Sequence, residues 1–78
     1  MKFELYKEAV LTRDLPEERL KRRDIVKLVE HHLGRDDEDG YSAEVFNAVG
    51  DTLTVITVPE SALEPLHEDE VCCVRTLE

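Results

Sequence analysis

The seven residues TLTVITV, Thr52 to Val58, constrain this chain more than any others. They hold no charge, and all but Leu53 are β-branched. Branching at Cβ restricts χ1 and suits a pleated strand better than a helix. Pro59 follows at once. It has no N–H to give to a ladder, so the strand is predicted to end there. The next residues, ESALEPL, carry two leucines, Leu63 and Leu66, three positions apart. That spacing is the repeat of a 3-10 turn, and Ser61 is placed to cap it by accepting from a backbone N–H. The expectation is a corner between two strands, with Leu63 and Leu66 plugging the open end of a small barrel.

Other segments read as strands too. In Lys7 to Arg13 (KEAVLTR), Val10 and Thr12 share one face and Ala9 and Leu11 the other. Asp24 to His32 (DIVKLVEHH) is apolar on both faces, Val26 with Leu28 and Ile25 with Val29. Tyr41 to Ala48 alternates, with Tyr41, Ala43 and Val45 together. Glu70 to Thr76 (EVCCVRT) reads as the last strand. Between the first two lies DLPEERLKRRD, predicted as a long loop with Leu15 and Leu20 as core anchors. A short helix starting at Pro16 is the alternative, because Pro16 followed by Glu17 and Glu18 suits a helix N-terminus. Glycines at 34 and 40 bracket a polar hairpin tip, and Gly50-Asp51 marks a turn.

Length and charge narrow the rest. The chain has 78 residues, enough for a single domain over 1–78, in which Leu77-Glu78 reads as a cloning remnant. With 5% aromatic residues and no Trp, the core must come from Val, Leu and Ile. The formal net charge of −9 repels phosphate backbones and anionic lipid at long range. A basic protein partner is favoured over nucleic acid or membrane. No early apolar run marks a secretory segment, and the adjacent Cys72 and Cys73 point to opposite faces of a strand. Reduced thiols in a cytoplasmic protein are expected.

A first strand, a long loop, two hairpins and a 3-10 turn before the last strand is the order of an SH3-like barrel. The fold class expected is therefore all-β, a small five-stranded antiparallel barrel of that type. Two stretches, Ala9 to His32 and Asp39 to Leu66, also resemble a family of small bacterial proteins, frequent in cyanobacteria, known only as a domain of unknown function. Its pattern runs V-x-L-x-x-D-L-P, G-D-x-x-x-V-V-E and Y-x-V-E-F. It is met here by Val10, Leu11, Asp14, Leu15, Pro16, Asp24, Val29, Glu30, Tyr41, Glu44, Phe46 and Leu63. Arg19 and Arg23 stand where the family tends to carry glycine. If those positions need φ > 0, arginine there costs stability. The resemblance implies an antitoxin or immunity role, because some members are encoded beside toxin-like proteins.

No residues form a catalytic set. Cys73 with a histidine lacks supporting spacing, and the chain is expected not to be an enzyme and to need no cofactor. His31, His32, His67, Cys72 and Cys73 have the chemistry of zinc ligands but not the spacing. RDDEDG resembles half a calcium loop, but position twelve counted from Asp36 is Asn47, not a bidentate Glu. More informative is the apolar character of both faces of TLTVITV and DIVKLV. One face must be covered by Phe3 and Leu5 of the N-terminal segment or by another protein. With Leu53 and Val55 inward, the partner-binding residues expected are Ile56, Val58, Ile25 and Val29, rimmed by Asp36, Asp37, Glu38 and Asp39. The function expected is a small non-enzymatic protein–protein interaction module, of antitoxin, immunity or accessory-subunit type, with a homodimer through TLTVITV as one form. The rival reading is a zinc sensor using His31, His67 and the cysteines.

Overall fold

The computed structural model describes residues 3–34 and 38–77. Five antiparallel strands form one open sheet: β1 (Glu8–Leu11), β2 (Ile25–His32), β3 (Gly40–Phe46), β4 (Thr52–Pro59) and β5 (Leu63–Pro65). Their spatial order is β4-β3-β2-β1-β5, so β4 and β5 are its two edges. β2, β3 and β4 follow one another as hairpins, and β5 returns to pair with β1. Among the described residues no helix is long and apolar enough to cross a membrane.

Alternation on β3 sets the inner face. Tyr41, Ala43 and Val45 are buried, and Ser42, Glu44 and Phe46 between them are partly exposed. Tyr41 lies opposite Val58 and Ala43 opposite Ile56. Residues paired across two strands share a face. Ile56 and Val58 are therefore core residues, 6% and 3% exposed, and Val55 points outward. This corrects the expected orientation of TLTVITV. The strand carries no charge and its threonines, Thr52, Thr54 and Thr57, fall on both alternating sets, so only its pairing with β3 decides which side goes in.

Tyr41 is fully buried and organises the core. Its hydroxyl accepts from the Phe3 N–H at 3.1 Å and donates to the Glu60 carboxylate at 3.3 Å. The Phe3 ring meets it edge-on, with centroids 5.7 Å apart. Phe3 and Leu5 thus join the same core as Ile56 and Val58.

The long loop after β1 is closed at its neck. The Leu15 N–H donates to the Leu20 carbonyl and the Leu20 N–H to the Leu15 carbonyl, around a 3-10 turn at Pro16–Glu18. Leu20 is buried and Leu15 packs on the core, as the anchor reading requires. Closing so short a loop puts Arg19 in the left-handed region, at φ 59 and ψ 30. Four residues on, Arg23 has φ 82. Its N–H donates to the Leu11 carbonyl, and the Leu11 N–H donates to the Asp24 carbonyl. Two residues thus oppose one, with the first at positive φ, which is the bulge whose first position is ordinarily glycine.

The last strand lies elsewhere than Glu70–Thr76. The 3-10 turn at Glu60–Ala62 delivers Leu63–Pro65 straight to the free side of β1, so that edge is filled first. Residues 70–76 form no strand, and Val71 and Val74 are 86% and 89% exposed. Ser61 does not cap the turn, and Ala62 and Leu63 are the residues it buries, while Leu66 stays exposed. Charge holds the tail instead. Arg23 reaches Glu64 at 2.8 Å and Glu70 at 2.6 Å, Arg75 pairs with Asp24, and Leu77 packs against the core.

Candidate functional site

The outward row of the sheet is built by register. Glu8 lies opposite Lys27, Lys27 opposite Glu44, and Glu44 opposite Val55. The first three alternate in sign, which favours each neighbour. A shallow depression of about 190 Å³ is lined by Glu8, Lys27, Glu44, Phe46 and Gly50. It lies below the roughly 300–1,000 Å³ of small-molecule pockets. The turn beside it, between β3 and β4, is fixed by Asn47, whose side-chain oxygen accepts from the N–H groups of Val49 and Asp51, and by Gly50 at φ 92.

Where the row reaches β4 it becomes apolar. Leu53 and Val55 are 46% and 56% exposed, and Phe46 beside them is partly exposed. The register shifts between Val45 and Phe46, where Thr54 and Thr52 are the partners and Leu53 is the extra residue. Leu53 and Val55 were expected inside. Ile56 and Val58, expected to meet a partner, are inside instead, which is a second consequence of the corrected orientation.

Ile25 and Val29 are half-buried. Ile25 pairs with Val10, and Val29 is the extra residue where the β2–β3 register shifts between Leu28 and Glu30. Of the acidic tract, Asp36 and Asp37 lie outside the described residues. Glu38 and Asp39 are engaged within the fold. The Glu38 carboxylate accepts from the Ser61 N–H at 2.7 Å and from its hydroxyl at 3.2 Å. Asp39 accepts from the Gly34 N–H at 2.9 Å and contacts His31 Nε2 at 2.8 Å. The Gly34 N–H and the His31 ring hold the Asp39 carboxyl below the usual aspartate range.

The zinc-type residues do not converge. His31 meets Asp39, His32 meets the Ser42 hydroxyl at 2.7 Å, and Cys72 and Cys73 are free and exposed on the tail. Among the described residues no three His, Cys, Asp or Glu side chains are grouped to hold a metal ion.

No signal in β4 alone could have found Leu53 and Val55, since its two faces are equally apolar. The charged row was legible only once register put Glu8, Lys27 and Glu44 side by side. Neither a curated protein nor a solved structure matches the chain. A family match covers residues 5–65 and ends where β5 ends, leaving the charge-held tail outside it. The chain belongs to that family, the domain of unknown function DUF4926.

Proposed function

We propose that this protein is a small protein–protein interaction module without its own chemistry, acting in the cytoplasm. Its docking surface is the outer face where β3 meets β4. The observation that carries the reading is the exposure of Leu53 and Val55 on a charge-free strand, directly beside the Glu44 carboxylate. Exposed apolar side chains rimmed by polar groups are the usual make-up of a recognition patch. The net charge of −9 steers it toward a basic partner or one with a matching apolar patch. The strand order β4-β3-β2-β1-β5 supports an SH3-like arrangement of strands as the scaffold, left open between its β4 and β5 edges rather than closed into the expected barrel. An antitoxin or immunity protein that covers a basic toxin surface fits this chemistry, as does an accessory subunit of a larger enzyme.

The test is affinity capture from native lysate with wild type and Val55→Asp as baits, at low and high salt. Val55 points outward, so the variant is expected to fold. Basic proteins held by wild type should be lost with Val55→Asp and should weaken with salt. Equal capture by both baits would sink the reading.

A further inference from the structure

The two edges of the sheet are guarded very differently. β5 has three residues, ends at Pro65 and carries Glu64 in an ion pair. Those are common devices against edge-to-edge pairing. β4 has eight residues, none charged, and its one proline is the last.

The ladder reveals which groups β4 leaves free. The Glu60 N–H donates to the Asp39 carbonyl at 2.9 Å, just beyond the Gly40–Pro59 pair. In an antiparallel ladder hydrogen-bonded and non-hydrogen-bonded pairs alternate. Gly40–Pro59 is therefore non-bonded, Tyr41–Val58 bonded, Ser42–Thr57 non-bonded, Ala43–Ile56 bonded and Glu44–Val55 non-bonded. The far end agrees, since the Asn47 N–H donates to the Asp51 carbonyl just beyond Phe46–Thr52. Val55 and Thr57 thus turn their N–H and C=O groups to the free edge. Among the described residues nothing bonds them there.

From this we infer that β4 pairs antiparallel with β4 of a second copy of this chain, in a two-fold register centred on Ile56. Val55 then faces the second copy's Thr57, and Thr57 its Val55. Each pair exchanges both N–H···O bonds, so all four free donors and acceptors per chain are matched. No charged residue within β4 meets a like charge, because β4 has none. A register centred on Val55 would instead have to use Leu53, the extra residue of the bulge. The pairing joins two sheets into one of ten strands and uses backbone groups only. Leu53 and Val55 stay exposed, now doubled at the centre of a symmetric outer face flanked by the two charged rows. At the ends of β4, Asp51 approaches the second copy's Glu60. Self-pairing should therefore tighten as salt rises, opposite to capture of a basic partner.

This proposal rests on β4 as the docking element but is measured with no third component. The experiment is sedimentation equilibrium, under reducing conditions and at two salt concentrations, of wild type, Thr57→Pro and a Val55→Lys, Thr57→Glu double variant. Wild type should reach the dimer mass, more completely at high salt. Thr57→Pro deletes an edge N–H that takes no part in the β3 ladder, so the fold stands while dimerisation weakens by about fivefold to a hundredfold. The double variant sets each lysine against a glutamate of the second copy and should stay dimeric, with its salt dependence reversed. It settles the matter even if Thr57→Pro fails to fold.

A wild type that remains monomeric up to about 1 mM overturns the proposal. So does a folded Thr57→Pro that dimerises undiminished, or a double variant driven to monomer by lysine facing lysine. A monomer that still captures basic proteins refutes self-pairing alone. A dimer that captures none refutes the basic-partner reading alone.

Discussion

Replacing Arg19 by glycine should stabilise this protein. Arg19 sits at φ 59 and ψ 30 because the Leu15–Leu20 bonds close a loop of only four residues between them. A side chain with a Cβ in that region is disfavoured by about 1–2 kcal/mol. Glycine removes that penalty but adds freedom to the unfolded chain, which costs back about 0.5–1 kcal/mol. Among the described residues the Arg19 side chain makes no hydrogen bond or ion pair; its N–H donates to the Pro16 carbonyl at 3.1 Å and its carbonyl accepts from Arg75 at 3.4 Å, and glycine keeps both backbone groups. The net expected gain is about 0.5–1 kcal/mol, or roughly 2–8 °C in Tm for a domain this size. Arg23→Gly relieves the same kind of strain at φ 82 but gives up the pairs with Glu64 and Glu70. Its guanidinium side chain is half exposed, so solvent screening leaves those pairs little to contribute. That change should come out near neutral. Arg19→Ala is the control: it deletes the same charge and side chain but keeps the strained backbone, and should show no gain. Equilibrium urea unfolding of the three variants reads the order directly. The reasoning fails if Arg19→Gly is no more stable than Arg19→Ala, because the backbone would then carry no strain.

Two further outcomes follow from the same structure. Tyr41→Phe removes the hydroxyl that accepts from the buried Phe3 N–H and donates to Glu60, so with two bonds lost a cost of about 1–3 kcal/mol in urea unfolding is expected, with faster amide exchange at Phe3; a loss under about 0.5 kcal/mol would mean the hydroxyl contributes little to holding the N-terminal segment. Burial pushes the Asp24 carboxyl up, but Arg75 and the Lys21 N–H outweigh it and hold it below the usual range. A folded pKa below the unfolded one stabilises fully above the ordinary aspartate value and is lost as pH falls through the folded value. Wild type should therefore lose stability relative to Asp24→Asn below about pH 4, and parallel acid profiles would count against the Asp24–Arg75 contact as a stabilising one.

How much of this could be read from the residues varies from strand to strand for physical reasons. β3 was legible because Ser42 and Glu44 mark the face that Tyr41, Ala43 and Val45 do not use. The long loop was legible because its only apolar residues are Leu15 and Leu20, and a charged loop can be pinned only by such residues. The final strand was misplaced because EVCCVRT has the better strand composition while LEP has the better position. A three-residue turn delivers Leu63 to β1 before the chain reaches Glu70, and proximity outweighs propensity once one edge is open. The strained positions show the reverse. Arginine at 19 and 23 argues locally against positive φ, and only the glycine-bearing pattern of the resembling family pointed to it; the closure of the loop and the bulge opposite Leu11 supply the cause.

β4 was opaque for a reason that bears on its role. A strand that needed only to bury one face would be expected to carry polar residues on the other, as β3 does, and its orientation would have been plain. TLTVITV keeps Leu53 and Val55 apolar although they point to solvent, and it forgoes the charge or internal proline that would protect its edge. Val55 takes part in both features, through its side chain on the outer face and its N–H and C=O at the edge. The ambiguity of the sequence and the open surface of the fold are thus one property, and it is the property that the proposed pairing of β4 with another chain requires.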